Sequence, residues 1–175
     1  KGIRRSGKST LMINQIKNLL ENGVEINEIL YVNFEDPRLI NHLTLDLFQT
    51  IKDVYLEYLN PKGKPYIFLD EIQNIPSWEK WVNKEYELKL SNITISGSNS
   101  SMLSSEIASS LSGRYLSVDV YPLSFREYLS FKEIRLNSGL ELVNKKIELN
   151  REFELYLKEG GFPKLIEYDA GQKTN

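Results

Sequence analysis

GIRRSGKST (Gly2–Thr10) carries a glycine, four intervening residues and then Gly-Lys-Ser, and a helical pattern starts inside it. From Ser9 to Asn22 the apolar residues Met12, Ile13, Ile16, Leu19 and Leu20 recur at helical spacing, and Gly23 supplies a C-terminal stop. A glycine-rich turn that runs straight into a helix aims several backbone N–H groups at one point. The positive end of the helix dipole adds to them, and together they form a nest for an anion. A coincidental glycine-rich turn is the competing reading, and the amphipathic helix beginning at the right place weighs against it. Such a loop normally follows a buried strand, yet only Lys1 precedes Gly2. An apolar strand of about five residues immediately upstream is therefore expected, with the chain a fragment that lacks it.

Working outward, the pattern alternates between strands and helices. ILYVNF (Ile29–Phe34) reads as a strand, and Asp36-Pro37 reads as an N-cap followed by proline at the first helical position. The spacing predicts one helix from there, carrying Leu39, Leu43, Leu47, Ile51, Val54 and Tyr58 and ending before NPKGKP. YIFLDEI (Tyr66–Ile72) is almost continuously apolar, as in a parallel strand covered on both faces. A helix from about Ser77 to Leu90 puts Trp78, Trp81, Val82 and Tyr86 on one side, and NITIS (Asn92–Ser96) is a third strand. In the serine-rich run from Ser98 to Ser112, Leu103, Ile107 and Leu111 predict a helix closed by Gly113. YLSVDVY (Tyr115–Tyr121) alternates and predicts a fourth strand. Ser124 and Glu127 form a capping box for the next helix, with Leu123 placed to staple onto Tyr128. Phe131–Asn144 reads as irregular, a last helix spans about Lys145 to Glu159 before Gly160-Gly161, and DAGQKTN has no pattern. Strands separated by helices predict an α/β fold, a parallel sheet in a three-layer α/β/α arrangement. Residues 1–130 form the expected core, and 131–175 the cut start of a C-terminal helical extension.

The chemistry follows from where these elements end. In the G-x-x-x-x-G-K-[ST] pattern, Lys8 reaches β- and γ-phosphates and the Ser9 hydroxyl ligates Mg2+. Gly2, Arg5, Ser6, Gly7, Lys8, Ser9 and Thr10 are the candidate nucleotide-binding positions. The backbone does most of that work, so the Arg4 and Arg5 side chains are expected to face solvent. Asp70 and Glu71 close the second strand at its carboxyl end, where ligands of parallel sheets sit. Asp70 there can hold the metal's hydration shell, and Glu71 can polarise a water for in-line attack. At the end of the third strand Ser96, Ser98 and Asn99 are polar, and Ser98 or Asn99 could orient that water, although both are ordinary turn residues. Arg114 could bridge phosphates, act on a neighbouring subunit, or form a surface ion pair. Glu35 is a minor candidate. The lone histidine, His42, lies in a helical pattern and is given no role.

Composition limits the alternatives. The 175 residues carry 41% hydrophobic and 26% charged side chains, ordinary for one globular domain. No apolar run approaches a membrane span, and the absence of cysteine rules out disulfides and thiolate metal sites while fitting a reducing, cytoplasmic setting. The net charge of −2 lends no support to a nucleic-acid partner, though a local basic patch stays open.

GIRRSGKST, YVNFED, FLDEIQ with a tryptophan helix, ISGSNSSMLSSE, LSGRY, YPLSFREYL and GGFPK follow one another in an order that resembles a family of prokaryotic AAA-like P-loop ATPases. Members often carry a C-terminal domain of unknown function that sometimes looks nuclease-like. The resemblance implies ATP binding with Mg2+ and hydrolysis through Lys8, Ser9, Asp70 and Glu71. It also implies a sheet in which the phosphate-loop strand lies between the strand bearing Ser98 and the one after Arg114. The leading expectation is an ATPase coupling nucleotide state to a partner domain or subunit. A small-molecule or nucleotide kinase and a non-hydrolysing nucleotide-binding module are the alternatives, and an oligomer is left open. No Asn-Lys-x-Asp motif is present, which favours adenine over guanine.

Overall fold

The computed structural model describes residues 1–98, 113–136 and 139–166. Its centre is a parallel sheet of three strands, β1 (Ile29–Asn33), β2 (Tyr66–Asp70) and β3 (Asn92–Ile95), in the order β1-β2-β3. Ile29 faces Tyr66 and Asn33 faces Asp70, while Tyr66 faces Asn92 and Leu69 faces Ile95. The register brings the carboxyl ends of the strands to one edge. Three parallel strands joined through helices give the α/β, P-loop NTPase-like fold expected.

Because side chains alternate along a strand, the sheet has two faces, and each recruits its own helices. On one face Ile29, Tyr31, Tyr66 and Phe68 pack with Met12, Ile16 and Leu19 of α1 (Lys8–Glu21). On the other, Leu30, Val32, Ile67, Leu69, Ile93 and Ile95 meet Phe48 and Ile51 of α2 (Leu45–Leu59) and Trp78, Trp81 and Val82 of α3 (Trp78–Glu87). Phe48 stacks on Trp81 with ring centroids 5.0 Å apart and meets Phe34 edge-on at 5.2 Å. Burying side chains of this size contributes roughly 1.5–3 kcal/mol each. The continuous apolar run of β2 is explained by this double coverage, since Ile67, Phe68 and Leu69 are all buried.

Between α2 and α3 lies a feature the periodicity does not announce. Lys52 donates to both oxygens of Glu85 at 2.7 Å, and the Ser91 hydroxyl donates to Oε2 at 2.8 Å, all three residues being buried.

Four expectations need correction. The single helix predicted after Asp36 is a short 3-10 helix, Pro37–His42, followed by α2 from Leu45. Asp36 does cap, its side chain accepting from the Arg38 N–H, but Leu43 (ψ 68) and Thr44 (ψ 163) leave helical geometry and restart the chain. Strand β2 ends at Asp70, because Glu71 turns into the left-handed region at φ 53. The predicted strand Tyr115–Tyr121 does not form: only Val120 bridges, and Leu116 is 98% exposed. An alternating run becomes a strand only beside a partner ladder, and among the described residues β3 pairs with β2 alone. The irregular stretch contains a short helix, α5 (Gly139–Asn144). The helix predicted within Ser98–Ser112 lies outside the described residues.

The described chain gathers into two compact units, one of Lys1–Gly2 with Lys8–Asp119, the other of Ile3–Gly7 with the chain from Val120 onward. In the second, α4 (Phe125–Phe131) starts at the predicted capping box: Ser124 and Glu127 exchange both bonds. That bond to Ser124 holds the Glu127 carboxyl below its usual range. Tyr128 and Leu129 pack with Leu123, Leu149, Tyr156 and Ile166, drawing in α6 (Lys146–Glu159). Gly161 lies so close to Leu123 that a Cβ would collide with its carbonyl, and the Leu123 N–H donates to the Gly161 carbonyl at 2.7 Å.

Candidate functional site

The site is assembled where β2 ends. Asp70, its last residue, is fully buried, and Glu71 sits on the turn that follows. Left-handed backbone is costly for a residue with a side chain, about 1–3 kcal/mol, and such strain concentrates at functional positions. Here it swings Glu71 off the strand direction while Asp70 stays in it.

Lys8, the first residue of α1, is buried and brings its Nζ to 3.4 Å from Glu71 Oε1. The other carboxylate oxygen of Glu71 accepts from the Gln73 side-chain amide at 2.6 Å. Ser96 lies just past β3 and ties the acidic pair together. Its Oγ accepts from the Glu71 N–H at 3.2 Å and donates to Asp70 Oδ1 in a short bond. The Ser96 N–H and carbonyl continue the ladder, bonding the Leu69 carbonyl and the Ile72 N–H. From the opposite strand, the Tyr31 hydroxyl donates to Asp70 Oδ2 at 2.9 Å. Burial first, then this hydrogen bond, push the Tyr31 phenol well above its ordinary range, so it stays a donor.

Within the loop, Arg5 (φ 67) and Gly7 (φ 100) both adopt left-handed angles, the alternation that points successive N–H groups inward. The Ser6 Oγ is buried without a hydrogen-bond partner among the described residues, so it is available to a polar ligand atom. Pro163, from GGFPK, lies 4.0 Å from where a Gly7 Cβ would stand. Ser9 and Thr10 are exposed at the start of α1, and Gly2 is buried.

The structure thus brings together Lys8, Asp70 and Glu71 and adds Tyr31, Ser96 and Gln73. Arg114 is placed elsewhere: its Nη1 bonds Glu87 at 3.1 Å and Asn83 at 3.2 Å, and its guanidinium lies 5.9 Å from the Tyr86 ring, all on α3. Ser98 is half-buried after β3, and Asn99 lies outside the described residues.

The donor set fits a hard divalent cation. Magnesium takes oxygen ligands and is usually held by one or two carboxylates together with phosphate oxygens and water. Asp70 and Ser9 offer that chemistry, and among the described residues no cluster of His, Cys, Asp and Glu forms an all-protein cage. No described helix is long and apolar enough to cross a membrane.

A parallel sheet covered on both faces, with a lysine from a glycine-rich loop meeting an acidic pair at its carboxyl edge, defines a P-loop NTPase-like protein. The chain belongs to an AAA domain family, whose sequence profile matches residues 1–129. That membership carries a nucleotide-binding, ATPase-type function at the level of the family. An uncharacterized protein of Methanocaldococcus jannaschii is 36% identical over 96% of this chain and 36% of its own length. One from Haemophilus influenzae is 37% identical over 98% of this chain and 40% of its own. A second uncharacterized protein of Methanocaldococcus jannaschii is 28% identical over 99% and 39% respectively. The chain therefore spans about two fifths of the length of these relatives.

Sequence reasoning missed the three residues that hold the acidic pair. Tyr31 and Gln73 resembled core and turn residues, and Ser96 stood out only as polar. The Tyr31 contact follows from strand register, which places Asn33 opposite Asp70 and Tyr31 two residues below it on the same face.

Proposed function

We propose that this domain binds ATP with Mg2+ and hydrolyses it, with water as the nucleophile. The observation that carries the reading is the meeting of Lys8 and Glu71 at 3.4 Å beside the buried Asp70. Lys8 would clamp the β- and γ-phosphate oxygens, exchanging its contact with Glu71 for them. Gly2, Arg5, Ser6, Gly7 and Thr10 would contribute the loop's backbone groups. Ser9 and Asp70 would hold the magnesium ion, which when bound neutralises charge on the phosphates. Glu71, released from Lys8 and steadied by Gln73, would accept a proton from the attacking water. Ser98 and Asn99 come after β3 in the sequence and are proposed to orient that water. Arg114 would act only after leaving Glu87, as a residue for a neighbouring subunit.

Coupling nucleotide state to a partner domain or subunit is proposed for the whole protein, with residues 131–175 beginning that second part and the cytoplasm as its setting. The test is Glu71→Gln in the full chain. Phosphate release from ATP, with no second substrate added, should fall about 10²–10⁴-fold while ATP stays bound. Unchanged release would refute hydrolysis at this site, and release only in the presence of an added acceptor would identify a kinase.

A further inference from the structure

We propose that Tyr31 is a positioning residue for the metal: its hydroxyl, together with that of Ser96, sets the orientation of the Asp70 carboxylate toward a magnesium-bound nucleotide. The inference rests on the nucleotide-site reading above and deepens it.

Asp70 is fully buried, and its two oxygens are held by two different strands. Tyr31 of β1 donates to Oδ2 at 2.9 Å, and Ser96 beyond β3 donates to Oδ1. Two donors on opposite oxygens fix both the position and the plane of a carboxylate. Each oxygen keeps an acceptor site open for a further partner, since an ionised carboxylate offers about four.

The donors are also neutral. A lysine or arginine on Asp70 would cancel the charge a divalent cation needs, whereas two hydroxyls satisfy the buried oxygens and leave the negative charge in place. The contrast within the molecule is Glu85, whose oxygens both meet the Lys52 ammonium. Nothing in the packing demands a hydroxyl at Tyr31. Its ring lies in the apolar cluster of Met12, Ile29 and Phe68, which phenylalanine would fill as well. The hydroxyl of Tyr31 is explained by Asp70 alone.

The experiment uses the full chain and a fluorescent ATP analogue, titrated with MgCl2 and separately bound in EDTA. Tyr31→Phe should raise the magnesium midpoint about 10-fold or more, the usual effect of losing a partner behind a metal ligand, with affinity in EDTA unchanged. Ser96→Ala should shift it in the same direction and Ser96→Thr should restore it, so the inference stays testable if one variant folds poorly. Asp70→Asn is the reference. If Asp70→Asn moves the midpoint and neither Tyr31→Phe nor Ser96→Ala does, the positioning role is wrong while the site stands. If affinity in EDTA falls as much as affinity with magnesium, the hydroxyls are merely structural and the inference is overturned. If Asp70→Asn itself leaves the midpoint unmoved, the site reading and the inference fall together.

Discussion

Among the described residues, two buried lysine–glutamate pairs cannot be told apart by composition and burial. Lys52 and Glu85 have side chains 8% and 1% exposed, and Lys8 and Glu71 are 5% and 11% exposed. Their geometry differs. Between α2 and α3, the ammonium meets both carboxylate oxygens at 2.7 Å, and Ser91 completes the set. At the end of β2, the ammonium approaches one oxygen at 3.4 Å, the carboxylate sits on a left-handed residue, and Gln73 holds its other oxygen. The first pair is closed and gains nothing by opening. The second is looser and built on strained backbone, and Gln73 holds the oxygen that Lys8 does not. Buried charge alone is therefore no sign of function; what distinguishes the proposed site is that Glu71 has a second, neutral partner in Gln73.

The same substitution at each lysine separates the two roles. Lys8→Met should lower nucleotide turnover about 10²–10³-fold, as expected for losing a charge aimed at the reacting phosphate, with the unfolding midpoint little changed. Comparable activity in that variant, measured by phosphate release, would erase the contrast. Lys52→Met should do the reverse: it strands Glu85 in the core and costs about 3–5 kcal/mol by urea unfolding, with turnover per folded molecule preserved. Pairing it with Glu85→Leu should recover most of that loss, because no uncompensated charge remains.

A purely steric lesion gives a smaller effect and calibrates the electrostatic ones. Gly161→Ala forces a methyl group against the Leu123 carbonyl and should destabilise the second unit by about 1–3 kcal/mol, read by hydrogen exchange around Tyr128 and Tyr156. Full protection in that variant would mean the segment yields freely.

The smallest effect belongs to the surface. Hydrogen bonds from the Arg38 side chain and backbone hold the Asp36 carboxyl at about 2, below its ordinary 3.8. Its folded value is depressed, so its contribution is present above the unfolded range and disappears as pH falls through about 4 toward 2. Asp36→Asn should remove that contribution, lowering stability slightly at neutral pH and leaving it unchanged below about 2, so that this part of the acid limb flattens. An identical acid limb would assign the slope to other carboxylates.

The amino-acid order by itself determined the elements whose signals are local. The α1 stripe, the capping box at Ser124, the apolar run of β2 and the Gly-x-x-x-x-Gly-Lys-Ser spacing all depend on neighbours within one or two turns, so they could be read directly. It also placed Lys8, Asp70 and Glu71 as candidates, because loop spacing and strand ends follow from those elements. Tertiary structure alone decided the rest. YLSVDVY alternates like a strand but lacks a ladder, and the helix after Asp36 breaks where Leu43 and Thr44 leave helical geometry. Tyr31 and Asp70, Ser96 and Asp70, and Lys52 and Glu85 lie 39, 26 and 33 positions apart, joined only once register and helix packing are set. A hydrogen bond across that distance leaves no periodic trace, since its energy depends on where folding brings two atoms and not on what stands beside either one.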